Sequence, residues 1–452
     1  MSEQFSPTAG MQNGFDLALL PTLTPHEQAV VERRQRLLGP SYKLMYQHPV
    51  EFVRAEGVYM YGPNGEQYLD CYNNVPSVGH CHPRVVEAVS KQLATLNTHT
   101  RYMDEKILNY TEQLVETFGG GIGNVMYTCT GSEAVDLALR IAKFNTGGTG
   151  IIVTDYAYHG ITTTVAAIST TMGKYVPVDQ HVRTVRAPYA YHAEPGLDLG
   201  ERLAADIEAA VADMQRHGIK FAGFIADSIF STDGLLPDPT GFLQKAIEVV
   251  HKHGGVYIAD EVQPGFARTG RNFWGYQRHG IQPDIVVMGK PMGNGLPIAG
   301  VAAKPQLLAD FGPKVRYFNT FGGNAVCISA AQAVLDVIRD EGLQENCHQV
   351  GNYLLDGFKS IAKQYPSIGD VRGAGLYFAV EFVTDPQSKA PDQDLTTKVV
   401  GGLRERKVLI STTGPHENSL KIRPLLCFQK AHADQLLETF ADTMAAVTAG
   451  KA

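Results

Sequence analysis

Residues 255–270, GVYIADEVQPGFARTG, and residues 283–290, PDIVVMGK, carry two short apolar runs, each closing on a charged side chain. Runs of this length without polar alternation suit strands covered on both faces, as in a parallel sheet. Asp260 ends the first run and Lys290 ends the second. A carboxylate at a buried strand end is costly unless it is paired or hydrogen-bonded, so its presence asks for a partner.

Outward from this pair the pattern repeats. Strand candidates fall at 124–130, 150–155, 221–230, 255–260, 284–290 and 299–304. Between them lie helical stretches such as SEAVDLALRIAKF (132–144), where Ala134, Leu137, Ala138 and Ile141 recur at i, i+3, i+4, i+7. The expectation is an open α/β sheet with ligands gathered at the strand ends. Before it, residues 26–38 read as a helix in an N-terminal arm. Residues 50–72 read as an antiparallel meander around Gly62-Pro63-Asn64-Gly65, and 82–96 as a helix with Pro83 near its start. After it come helices at 325–341 and 343–365, strands at 371–383 and 420–428, and a last helix at 430–447. Three units are expected: an arm and part of a small domain (1–64), a large domain (65–325) and a C-terminal small domain (326–452).

The chain has 452 residues, 44% hydrophobic and 19% charged, and a net charge of −7. That balance argues against a nucleic-acid or anionic-membrane surface as the main partner. No apolar run is long enough to span a bilayer, and the N-terminus lacks a basic start followed by an apolar core, so a cytoplasmic location is expected. The six cysteines are scattered without a Cys-x-x-Cys pair, which argues against a disulfide scaffold or zinc ribbon. His80-Cys81-His82 is read as a loop lead-in to Pro83, and no metal is expected.

Thr130-Gly131-Ser132-Glu133 ends one strand candidate and opens a helix. Gly131 permits a tight turn, Ser132 can cap, and the free N–H groups with the helix dipole make an anion site. An ordinary strand-to-helix turn has the same sequence signature. Tyr158, in DYAYHG, can stack on a flat ligand. Asp260 paired with a pyridine nitrogen would keep that ring positive and electron-accepting. Lys290, desolvated at its strand end, would offer a free amine to an aldehyde. Gln263 can donate to a phenolic oxygen. These are the needs of pyridoxal 5′-phosphate (PLP). No Gly-x-Gly-x-x-Gly stands between a strand and a helix, which sets a Rossmann dehydrogenase aside.

TGSEAVDLALRIAKF, DYAYHG, ADEVQPGFARTG, DIVVMGKPMGNGLPIAG and YFNTFGGNAV, in this order and spacing, resemble the class III aminotransferase family of fold-type I PLP enzymes, over residues 45 to 440. The resemblance implies a mostly parallel large-domain sheet with a smaller α+β domain. It implies that Lys290 bonds the cofactor and Asp260 binds its ring nitrogen. Gly131 and Ser132 would hold the phosphate, Tyr158 would stack on one ring face, Val262 would pack on the other, and Gln263 would approach the phenolic oxygen. His159 and Asp227 are carried over as cofactor residues. Thr320 would reach the neighbouring subunit's cofactor phosphate, implying a homodimer with interfacial sites. Arg423 matches a substrate-carboxylate arginine, and Tyr72, Asn74 and Arg101 fall near the substrate. Residues 73–83, 96–105, 288–297 and 414–428 resemble the ethanolamine-phosphate phospho-lyase and alanine–glyoxylate-type branch. Three positions depart from common patterns: Asp227-Ser228 replaces an acid-Pro pair, Thr232 stands where some members carry a glutamate gating the arginine, and position 423 is arginine where lysine is expected in animal phospho-lyases. Transamination from a small amine to a 2-oxo acid is the first expectation. Phosphate elimination from an O-phosphoethanolamine-like substrate is the alternative, and Arg423 serves either.

Overall fold

In the computed structural model, residue 11 and residues 13–450 are described. The first ten residues and residue 12 of the expected N-terminal arm lie outside the described residues. β1 (Arg54–Glu56), β2 (Tyr59–Tyr61) and β3 (Gln67–Asp70) form the expected meander. The central strands are β4 (Asn124–Thr128), β5 (Gly150–Thr154), β6 (Val182–Val185), β7 (Phe221–Asp227), β8 (Val256–Asp260), β9 (Ile285–Met288) and β10 (Ala299–Ala303). They make one sheet in the order β4-β10-β9-β8-β7-β5-β6. β5 to β9 run parallel, and β10 lies antiparallel to both its neighbours. β5, β8 and β9 are buried at every residue, because helices cover both faces.

The register brings the chemistry together. Asp227 pairs with Asp260, and Asp260 with Val287, so β7, β8 and β9 end side by side. The helix Gly131–Thr146 packs on β9 and β10 through Ala134, Leu137, Ala138 and Ile141, as its periodicity predicts.

The C-terminal part builds a second sheet from β11 (Ile368–Gly373), β12 (Phe378–Asp385), β13 (Ala390–Pro391), β15 (Ser411–Thr413) and β16 (Ser419–Ile422), while β14 (Val408–Leu409) pairs parallel with β3. Chain ends distant in sequence thus share one sheet.

Four readings change. Residues 371–383 are not one strand but two, turning through Gly375, whose φ is +56° and whose position leaves no room for a Cβ beside the Arg268 carbonyl. The strand expected at 420–428 ends at Ile422, because the Arg423 N–H turns away to the Cys71 carbonyl and Pro424 has no N–H to continue it. Lys290 lies in a 3-10 turn just past β9 rather than within it. β6, VRTV, was not anticipated: it is an edge strand with two partly or fully exposed residues, so it lacks the continuous apolar run of its neighbours.

A buried ionic cluster fastens the second sheet to the segment after β7. Arg372 donates to the Leu235 carbonyl (2.8 Å) and the Gly234 carbonyl (2.7 Å) and pairs with Glu381 (2.7 Å). Glu381 also receives His192 (2.8 Å) and Tyr189. Burial alone would raise the Glu381 pKa, but His192, Arg372 and Tyr189 outweigh it and hold it down to about 2, against an ordinary 4.5. A folded-state value below the unfolded one stabilises the fold above pH 4.5, and that stability is lost as pH falls through about 2. Glu381→Ala, which leaves Asp370 (2.8 Å) as the remaining ionic partner of Arg372, is expected to cost about 2–3 kcal/mol at neutral pH by denaturant unfolding. The gap to wild type should narrow steadily below pH 4.5.

Candidate active site

Two adjoining chambers open at the ends of β7, β8 and β9, and both are lined by Tyr158 and Lys290. One, about 270 Å³, is also lined by Gly131, Ser132, His159 and Val262. The other, about 360 Å³, is lined by Tyr72, Gln263, Lys421 and Arg423. Two larger grooves of about 680 Å³ lie on helix surfaces and contain none of these residues.

The phosphate-side chamber is built on a helix start. Thr130, not Ser132, is the cap: its hydroxyl accepts from the Glu133 N–H, while the Glu133 carboxylate accepts from the Cys129 N–H (2.7 Å) and the Thr130 N–H (3.0 Å). This leaves the Gly131 and Ser132 N–H groups without an intrahelical acceptor at the positive end of the dipole. The Ser132 hydroxyl accepts from the Ile161 N–H at 3.0 Å. A Cβ at Gly160 would fall 2.3 Å from that hydroxyl, so only glycine lets the tyrosine loop close on the helix.

Asp260 stands behind the same chamber, against His159 and Val262, which line it. One carboxylate oxygen lies 2.7 Å from His159 Nδ1 and the other accepts from the Val262 N–H. His159 is itself buried, and its Nε2 has no partner among the described residues. Strand alternation turns the next carboxylate, Glu261, to the opposite side. There Ser228, Gly275 and Tyr276 donate to it, while burial pushes its pKa up to about 8. Asp227 stands beside Asp260 and, like it, lines neither chamber. Its oxygens accept the Ile229 and Ser231 N–H groups, so it shapes the turn after β7 rather than facing the cavity.

Lys290 is exposed to the chambers, yet its amine is recessed in them. That recess, with Arg423 nearby, lowers its pKa below the ordinary lysine value. Arg423 is buried and donates through Nε to the Tyr72 carbonyl (3.0 Å) and through Nη1 to Gln263 Oε1 (2.8 Å). Tyr72 lines the chamber with its ring beneath the guanidinium. Asn74 is buried apart from both chambers and holds the Gln263 backbone carbonyl at 3.1 Å. Thr320 and Arg101 are exposed and also lie outside both chambers, with Arg101 stacked on Phe318.

Two residues of the arginine side were not anticipated. Lys421 precedes Arg423 by two positions, and the period of a strand puts both on one side, a signal present in LKIR. Tyr377, which donates to Gln263 Oε1 at 3.0 Å, gave none, since a tyrosine in a buried strand reads as core.

These residues fit PLP. A helix N-terminus suits its phosphate, Asp260 its ring nitrogen, and Lys290 its aldehyde, while Tyr158 and Val262 line the space between. When bound, PLP supplies an aldehyde that captures amines and a ring that accepts electrons.

The chain matches the sequence model of "Aminotransferase class-III" over residues 42–444. It is 36% identical to an alanine–glyoxylate aminotransferase 2-like protein of Drosophila melanogaster, over 92% of this chain and 87% of that one. With the ethanolamine-phosphate phospho-lyase homolog 1 of Caenorhabditis elegans it shares 35% identity, over 91% and 92%. A phospholyase from Arthrobacter, solved in complex with phosphoethanolamine, superposes with a TM-score of 0.89 at 42% identity, over 92% of this chain and 99% of that one. The chain belongs to the class III aminotransferase family, whose members are PLP-dependent enzymes.

Proposed function

We propose that the chain moves an amino group from a small amine or amino acid to a 2-oxo acid, with Lys290 as proton carrier and Arg423 as carboxylate receptor. The observation that carries this reading is the seat of Arg423. Two of its donors are spent on Tyr72 and Gln263, which fixes the guanidinium plane, and its Nη2 edge has no bond to any described residue. A fixed fork with a free edge suits a planar carboxylate.

The roles follow from position. Lys290, whose burial shifts it toward the free amine, would take a proton from the nitrogen-bearing carbon and return it elsewhere. Asp260, oriented by His159 and the Val262 N–H, holds negative charge where the ring nitrogen would lie. Gly131 and Ser132 hold the phosphate, and Tyr158 and Val262 confine the ring.

A specific observation favours a second reading, phosphate elimination. Lys421 lines the chamber beside Arg423, and burial beside Arg423 and Lys290 holds it well below the usual lysine range. A pair of basic groups matches a tetrahedral dianion better than one carboxylate, and an entering dianion would draw a proton onto Lys421. In that chemistry Lys290 removes the same proton, the adjacent carbon–oxygen bond breaks, and phosphate leaves with the electron pair. Water then releases an aldehyde and ammonia. The likeness to the Arthrobacter phospholyase supports it.

A second copy of the chain completes the proposed site. Tyr102, Met103 and Phe321 are exposed apolar side chains on two segments joined by the Arg101–Phe318 contact, and Thr320 lies among them. A homodimer would cover this face and carry Thr320 to the partner's phosphate. The first boundary of the three-part division is better drawn after Asp70 than at 64, because β3 shares one sheet with β1, β2 and β14. A cytoplasmic location accords with the acidic net charge, and no helix among the described residues is long and apolar enough to cross a membrane.

Lys290→Ala should remain folded by circular dichroism, lose the visible absorbance of bound cofactor, and lose about 10²–10⁴-fold in turnover. Retained turnover would remove Lys290 from the reaction. The two chemistries separate on L-alanine with a 2-oxo acid against O-phosphoethanolamine alone. Amino-acid product from the first pair, without phosphate from the second, establishes transfer; sustained phosphate and ammonia release establishes elimination. Arg423→Ala should raise the KM for a 2-oxo acid about 10–100-fold, with a much smaller effect on a neutral amine. Equal effects on both would take Arg423 out of carboxylate recognition.

A further inference from the structure

Gln263 lines the arginine-side chamber, and the two ends of its amide are nearly equal in size and opposite in hydrogen-bonding character. Which end faces the cofactor decides whether the residue donates to it or repels it. A guanidinium has donors only, so the Gln263 atom 2.8 Å from Arg423 Nη1 is the oxygen. Tyr377 donates its hydroxyl to the same oxygen at 3.0 Å. Both lone pairs of Oε1 are then occupied, and the Gln263 backbone carbonyl is held separately by Asn74. The amide NH₂, which bonds no described residue, is left to the chamber.

The geometry points to Tyr377 as a positioning residue that fixes the amide of Gln263 with its NH₂ toward the cofactor, above all when Arg423 is engaged by a substrate anion. Of the two donors on Oε1, Arg423 is the one that an anion in the chamber competes for. Tyr377 is the one that nothing in the chamber can draw away. It is wholly buried at the turn into β12, against Ile229, Leu235 and Ala379, and Arg268 Nη1 grips the preceding Leu376 carbonyl at 3.1 Å. Burial pushes its pKa up to about 12 despite the nearby guanidinium, so the phenol keeps the proton it donates. The charged and polar groups around it are Arg423 on the β16 side, Arg268, Asp227 at the end of β7, Ser231 after it, and Tyr72.

The inference rests on the assignment of Gln263 to the cofactor's phenolic oxygen and holds for either chemistry. An N–H directed at a phenolate stabilises its negative charge, so a proton elsewhere on the same conjugated group is held less tightly. Losing that donor moves the pH midpoint of the holoenzyme's visible absorbance upward. In titrations of holoenzyme with a saturating unreactive carboxylate, such as acetate, to engage Arg423, Tyr377→Phe, which removes only a hydroxyl, should raise the midpoint by about half a unit to one unit. Gln263→Leu should raise it at least as far, and the double variant no further. With an anionic substrate kcat should fall about 2–10-fold in Tyr377→Phe, while a neutral amine stays within about 2-fold. A shift in Gln263→Leu with none in Tyr377→Phe, or equal losses on anionic and neutral substrates, would overturn the role of Tyr377. No shift in Gln263→Leu would overturn the underlying assignment of Gln263 as well.

Discussion

The Asp260 carboxylate stands at the end of a strand with no exposed residue, 2.7 Å from a histidine buried as deeply as itself. An ionised group in such a place is tolerated only if its charge is met from several sides. His159 meets it from the tyrosine loop and the Val262 N–H from its own chain, and in the proposed site a cationic ring would meet the remainder. The surrounding architecture supplies the burial that makes the arrangement effective. Parallel strands bring Asp227, Asp260 and the approach to Lys290 to one edge, and Gly160 lets the loop carrying His159 close over it. A histidine on a looser loop would leave the acid to water, where it would hold a ring proton only weakly.

Much of this was legible, for reasons that differ by element. β5, β8 and β9 are fully buried, and a continuous apolar run is the direct imprint of two covered faces. The Gly131–Thr146 helix showed its face because its periodicity is unbroken. β6 was hidden because an edge strand has only a partial stripe to show. The 371–383 run looked like one strand because the turn within it depends on a single glycine in a left-handed conformation, amid residues as apolar as the strands beside them.

The site divides the same way. Residues whose job follows from backbone position, such as Lys290 after β9 or the first turn after Thr130, could be placed from sequence. Residues whose job follows from a contact across the fold could not. Tyr377 and Gln263 are 114 positions apart, and Arg423 and Gln263 are 160 apart, so no local pattern announces them. The Asp260–Glu261 pair shows the limit from the other side. Adjacent carboxylates look equivalent in sequence, while the pleat of β8 sets one against His159 and turns the other to the Gly275–Tyr276 N–H groups. Asp227 reads as a third acid of the site, yet its oxygens are taken by the turn that follows it.

The division into two chambers also explains why one scaffold admits two reactions. In the proposed chemistry, proton removal would need only Lys290, Asp260 and the phosphate-side groups, all of them independent of what the substrate carries beyond its reacting carbon. The fate of the electron pair left behind is set in the arginine-side chamber. If that chamber holds a carboxylate, no bond there is ready to break, and Lys290 would return the proton without loss of a group. If it holds a phosphate ester, the basic groups stabilise the departing dianion, and the adjacent bond breaks first. Arg423 favours either occupant, because its fork fits both shapes. Lys421 does not treat them alike: pressed below its ordinary pKa by burial and by two neighbouring basic groups, it gains most from the ligand that brings the larger negative charge. On the proposed roles, selectivity between the two reactions would rest less on Arg423 than on the lysine two residues before it.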